Sequence, residues 1–242
     1  MSTAFTAAIH SMHNDLQRMD IISQNLVNLT TPGYKRGIAR SFGEVMLAAD
    51  SQTSSDHHIA HTLPSISSVV DLSEGAVRQT GQPWDMAIVG EGYFELATPA
   101  GLAYSRAGNF HLDAEGRLVN EAGFAVQGMA GELRLNDGKA QISADGRISQ
   151  GENPVGQIRL VRFAEPHALQ KNPLGLLSPA AGNNAIEVTP QLQVGALEST
   201  NVVPARDMVA MLETTRHFEA AQKLFQGYDE MLGTAIQKLG EF

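Results

Sequence analysis

The stretch MVAMLETTRHFEAAQKLFQGYDEMLGTAIQKL (208–239) decides how this chain is read. Met211, Phe218, Phe225, Leu232 and Leu239 recur in it every seven residues, the spacing of a narrow apolar seam along an α-helix. A second row is leaky, with Met208 and Ile236 alternating with Thr215, Gln222 and Asp229. The other end of the chain repeats the pattern: Phe5, Met12, Met19 and Leu26 recur every seven, with Ile9 and Leu16 interleaved and Ser23 breaking the second row. Thr31-Pro32-Gly33 cannot continue a helix, so the first helix ends near Leu29. The second opens after Asn201, with Pro204 in its first turn where a missing N–H costs little, and closes before Gly240. Stripes this thin need a partner helix, and the nearest candidate is the other end of the same chain. A pair of them buries little area, so the ends are expected to gain order from neighbouring subunits in an assembly.

Between these ends the periodicity changes. Residues 48–68 are rich in Ser, His and Thr and poor in aromatics, the composition of a linker. From Val69 onward come short apolar or alternating runs at 86–89, 93–97, 109–112, 117–119, 132–135 and 157–163, punctuated by turn residues at 90–92, 114–116, 136–138 and 145–146. The expected fold is therefore α+β, with N- and C-terminal helices paired as a coiled-coil-like layer that brackets a mainly β central domain. The divisions are 1–47 for the N-terminal helix and turn, 48–68 for the linker, 69–196 for the β-rich outer domain and 197–242 for the C-terminal helix.

Composition narrows the function. The chain has 242 residues with a formal net charge of −9, which disfavours a protein whose main task is neutralising nucleic-acid phosphates or binding anionic lipid. With no Cys, disulfide frameworks, thiolate metal sites and cysteine nucleophiles are excluded. No apolar run is long enough to span a bilayer, and residues 1–20 interrupt their apolar positions with His10, Asn14, Asp15 and Arg18, so no cleaved signal peptide is expected. The common hydrolase, zincin and nucleotide-binding motifs are missing, and the chain is read as a non-enzyme with no cofactor and no small-molecule substrate.

The remaining chemistry-bearing groups have plain explanations. His57, His58 and His61 have one metal-like spacing but sit in the Ser-rich linker. Asp113, Gly116, Asp137 and Gly138 are fragments of a calcium-loop pattern that is never completed, and hairpin turns account for them. Asp85, Glu91 and Glu95 cluster around a Gly-rich bend and are read as a surface turn. Asn28-Leu29-Thr30 matches a glycosylation acceptor too short and common to carry weight.

Three stretches together resemble the rod and hook axial proteins of the bacterial flagellum. MDIISQNLVNLTTPGYKR (19–36) is similar to the N-terminal signature of that family, TGQPWDMAIVGEGYFELATPAGLAYSRAGNFHLDAEGRLVNEAGFAVQG (80–128) to its core β-domain, and LESTNVVPARDMVAMLETTRHFEAAQKLFQGYDEML (197–232) to its C-terminal helix. Gln24, Thr30 and Pro204 depart from the usual pattern. The resemblance implies a structural subunit of the basal-body rod, partnered by itself and other rod subunits, passed by the flagellar export apparatus and placed in the periplasmic rod. The stretch 143–182 more closely resembles the proximal-rod type than the distal-rod type, which usually carries a longer segment before its last helix. It further implies an assembly seam of Phe5, Met12, Met19, Leu26, Met211, Phe218, Phe225 and Leu232. Asn25, Asn28, Thr31, Pro32, Gly33 and Tyr34 would form the signature turn, and Asp85, Tyr93, Phe94 and Phe110 would place the β hairpins. A carbohydrate-binding β-domain and a helical adaptor remain as alternatives, although Trp84 is the single Trp and Tyr is scarce.

Overall fold

A computed structural model describes residues 3–41, 66–135, 140–151, 153–172, 174–180 and 182–240. The fold is α+β: helix α1 spans Thr3–Val27, helix α2 spans Pro204–Gly240, and the described chain between them is mostly β. The linker histidines and the turn at 136–138 lie outside the described residues. Contacts divide the chain into a helical unit, built from Met1–Val27, Gly37–Val69 and Val203–Phe242, and a β-rich unit, built from Asn28–Arg36 and Val70–Val202.

In the helical unit α1 and α2 lie against each other, and the strand Gly37–Ser41 pairs with Ile66–Val70. Helix α2 begins at Pro204 itself, where the ring's fixed φ suits a first helical residue, and Asp207 in that first turn complements the positive end of the helix dipole. Asp207 N–H closes the turn by donating to the Val203 carbonyl at 3.1 Å.

The β-rich unit is organised by the strand Tyr93–Thr98, whose sequence YFELAT is buried on both faces at its start. It forms an antiparallel hairpin with Gly101–Ser105, from Phe94 opposite Ser105 to Thr98 opposite Gly101. It also pairs with Ala125–Gly128 and Leu160–Phe163. Because side chains alternate, Phe94 and Leu96 enter one core with Met86, Leu118, Val126, Ile148, Ile158 and Leu160. Tyr93 enters a second core with Tyr104, Val161, Phe163 and Leu177. Phe94 is fully buried, and its ring meets Phe110 edge-on at 5.0 Å between centroids. Burial of one such aromatic is worth about 2–3 kcal/mol.

Two short strands near the end of this unit return to its beginning. Leu192–Val194 pairs with Met86–Ile88, and Ala196–Glu198 pairs with Val77–Gln79. That return brings Glu198 beside residues that precede it by more than a hundred positions.

Candidate assembly site

The signature turn is held by its own side chains. Asn25 is buried near the end of α1; its Nδ2 donates to the Gly37 carbonyl at 2.9 Å, and its Oδ1 accepts from Gly37 N–H at 2.8 Å. One amide thus satisfies both backbone groups of a residue twelve positions on. Within the β-rich unit, Thr31 Oγ1 donates to Asn28 Oδ1 at 3.1 Å, and Thr31 N–H donates to the Asn28 carbonyl at 3.2 Å. Gly33 then takes φ +64° and donates its N–H to the Glu198 carbonyl at 2.7 Å. A Cβ there would lie 2.2 Å from Ala107 N, so this position rejects any side chain. Pro32 lines a cavity of about 230 Å³ with Leu29, Arg78 and Ser199. Tyr34 is buried, with Lys171 Nζ 3.4 Å from its ring centroid. Lys171 also donates to the Lys35 carbonyl at 2.7 Å, and burial lowers its pKa to about 8.

Next to this turn is a group that sequence reasoning did not single out. The Glu198 carboxylate, 2% exposed, accepts from Lys35 Nζ at 2.6 Å on one oxygen and from Arg106 Nε at 3.0 Å on the other. Gly75 N–H adds a third bond at 2.9 Å. Lys35 spends a further proton on the Ser73 carbonyl, and Arg106 Nη1 donates to the carbonyls of Gly90 and Gly92, each at 2.8 Å. Burial pulls the Lys35 pKa down, and the bond to Glu198 works against that. Removing one member of a buried charge group of this kind costs about 3–5 kcal/mol. Each of the three sits in a different one of the quoted stretches, 19–36, 80–128 and 197–232. The available signal was a charged residue inside each stretch; their meeting depends on the returning strand Ala196–Glu198.

The helix surfaces differ from the reading of the sequence by one register position. Met12, Met19 and Leu26 on α1, and Met211, Phe218 and Phe225 on α2, are half-buried. The side chains of Phe5 and Leu232 lie outside the described set. The interleaved row was expected at Ile9 and Leu16, yet both are exposed, Leu16 at 50%; the buried positions are Asp15 and Ile22. On α2 the interleaved row is likewise Asp207, Thr214 and Ala221, whereas Met208 is exposed. His217 Nδ1 lies 2.6 Å from Asp15 Oδ2, and Thr215 Oγ1 lies 3.7 Å from Met19 Sδ, so the contacts run antiparallel. Thr214 and Ala221 are both buried, and Thr214 hides its hydroxyl on the Ala210 carbonyl at 2.8 Å. The shift leaves Ile9 and Leu16 on α1, and Met208, Val209, Leu212, Leu224 and Met231 on α2, facing out.

The β-domain residues fall in two places. Phe94 and Phe110 share one core, while Tyr93 lies in the other, 5.9 Å from the Phe163 ring. Asp85 bridges to Asn109 and accepts Gly195 N–H on its carbonyl at 2.8 Å. The expected surface turn is corrected for two of its three carboxylates. Glu91 is exposed, but Asp85 and Glu95 are buried, and Glu95 pairs with Arg159 at 3.3 Å because alternation turns it inward beside Tyr93. Asp113 spends its carboxylate on Glu115 N–H and on the Arg117 backbone and side chain, which is turn chemistry. Among the described residues, no three His, Asp or Glu side chains form a group able to hold a metal ion. No helix among them is long and apolar enough to cross a membrane.

Two family descriptions match along this frame. Residues 87–150 match the flagellar hook protein FlgE/F/G D1 domain, and residues 193–238 match the flagellar basal body rod FlgEFG protein C-terminal region. Among similar proteins, the flagellar basal-body rod protein FlgG of Buchnera aphidicola subsp. Schizaphis graminum is 32% identical over 249 residues, covering 92% of this chain and 93% of its own. FlgG of Bacillus subtilis is 30% identical over 260 residues, covering 96% and 97%. The flagellar basal-body rod protein FlgF of Caulobacter vibrioides is 28% identical over 235 residues, covering 93% of each. These likenesses define a class of axial structural proteins, not enzymes. The chain belongs to the flagellar basal-body rod protein family.

Proposed function

We propose that this chain polymerises through its terminal helices as part of the flagellar rod, the shaft between motor and hook, with the proximal segment as its place. The observation that carries the reading is the apolar surface left over when α1 and α2 have met: Ile9 and Leu16 on one helix, and Val209, Leu212, Leu224 (75% exposed) and Met231 on the other. Burying it against neighbouring subunits is favourable at about 25 cal/mol per Å². In this reading α1 and α2 form a coiled-coil-like layer, the half-buried Met12, Met19, Phe218 and Phe225 form its seam, and the signature turn joins that layer to the rod wall. The working divisions are 1–47, 48–68, 69–196 and 197–242. The chain reaches the periplasmic rod through the flagellar export apparatus.

The proximal placement is supported by the stretch 143–182 and by length. The distal-rod type usually carries a longer segment before its last helix. A distal-rod subunit of the same family is the second reading. Counting this chain by quantitative mass spectrometry in purified hook-basal bodies decides between them: a handful of copies supports the proximal rod, and severalfold more supports the distal rod. Absence from the particles would overturn both. Met12→Asp or Phe218→Asp should abolish assembly with the β-rich unit still folded, and rods built from either variant would refute the seam.

A further inference from the structure

The β-rich unit contains a cavity of about 200 Å³ lined by Tyr93, Arg106 and Phe163, each more than nine-tenths buried. Arg106 spends Nε on Glu198 and Nη1 on the carbonyls of Gly90 and Gly92. Its Nη2 is left over: among the described residues it reaches only Glu74 Oε1, 3.6 Å away and beyond hydrogen-bond range, on a side chain 63% exposed. The Tyr93 hydroxyl likewise has no hydrogen-bond partner among the described residues, and burial raises its pKa, so it stays a donor. Two buried donors thus line one cavity without an acceptor.

A carboxylate serves both donors, since it only accepts, has two oxygens and carries the charge a guanidinium binds most strongly. Glu74 and Glu91 also line the cavity but are exposed and stay hydrated, and an exposed pair as long as Glu74–Arg106 holds weakly, so an entering carboxylate can displace it. Arg162 adds a positive charge to the lining. The volume is below the roughly 300–1,000 Å³ of sites for drug-sized ligands, which suits one side chain. With 26 Asp and Glu against 17 Lys and Arg, a second copy of the chain presents carboxylates in surplus. Open helical polymers are built from head-to-tail contacts, which set different patches of successive copies against each other. We propose that this cavity receives an Asp or Glu side chain from a neighbouring copy of the chain, its carboxylate accepting from Arg106 Nη2 and the Tyr93 hydroxyl. The second copy as source rests on the rod reading above.

The test replaces His167, an exposed residue of the lining, by the photoreactive p-benzoylphenylalanine in cells, then purifies and irradiates hook-basal bodies. A dimer-sized product should form, joined to a peptide of a second copy that holds Asp or Glu. Its yield should fall severalfold with Tyr93→Phe, which removes one donor and should leave the Tm of the isolated chain unchanged, and when the cross-linked carboxylate is changed to its amide. Glu74→Gln should raise the yield, because it removes the competing carboxylate. A lower yield with Glu74→Gln would mean a cationic occupant, and a yield unmoved by Tyr93→Phe would mean that the hydroxyl is not used; either overturns the proposal. So does a cross-link to another protein, or none between copies, in particles that hold the chain. Glutarate added to the isolated chain, followed by NMR of the Tyr93 ring, tests the other source: binding there without a dimer product assigns the cavity to a dissolved carboxylate and overturns the second copy. If the particles lack the chain altogether, the rod reading itself fails, an outcome distinct from the others.

Discussion

Ile22→Ala and Leu16→Ala separate the two registers of the helix pair. Each change removes three carbons, worth roughly 2.4 kcal/mol at about 0.8 kcal/mol per buried carbon. Ile22 is 6% exposed, so nearly all of that is lost, and a cavity adds to it; the expected cost is about 3 kcal/mol. Leu16 is 50% exposed, so roughly 1 kcal/mol is lost at most, and Ala's higher helix propensity returns part of it. The assay is denaturant unfolding of the full-length chain at low concentration, followed by far-ultraviolet circular dichroism, which reports the helices. Ile22→Ala should lower the helix transition clearly and Leu16→Ala barely. In cells the order of a second readout reverses: Leu16→Ala, stable by itself, should weaken incorporation into the rod. Equal unfolding costs for the two variants, or a larger cost for Leu16→Ala, would refute the buried row at Asp15 and Ile22.

Other outcomes follow from the turn and its lysine. Gly33→Ala forces a left-handed φ and a backbone overlap at Ala107 at once, and should destabilise the β-rich unit by on the order of 3 kcal/mol, read as a fall in Tm. Carbon NMR of Lys171 should show its ammonium titrating near pH 8. Below that pH both folded and unfolded chains hold the proton. Between about 8 and the ordinary 10.5 only the unfolded chain does, so stability should rise with pH across that window relative to Lys171→Met. A wild-type chain whose stability tracks Lys171→Met throughout would show that this amine is not desolvated.

The two helices and the β-rich middle were legible because their signals are local. A seven-residue repeat, Pro204 at a helix start and Thr31-Pro32-Gly33 at a helix end each specify conformation within a few residues. Phe94 and Phe110 stood out in the sequence as large apolar groups in short runs, but that they share one core is seen only in the structure. The burial of Glu95 was not legible, since a carboxylate between apolar neighbours reads as exposed until a partner such as Arg159 is known to face it.

What the sequence alone determined is that the same helical faces recur at both ends and that a β unit lies between them. Tertiary structure decided which neighbouring row each face buries. Positions three and four residues from Phe218 lie on the same side of α2, and only the opposing helix selects Thr214 and Ala221 over Thr215 and Gln222. It also decided the meeting of Lys35, Arg106 and Glu198. A buried ion group exists only where strand pairing carries distant charges within about 3 Å of one another, and no local pattern encodes that distance.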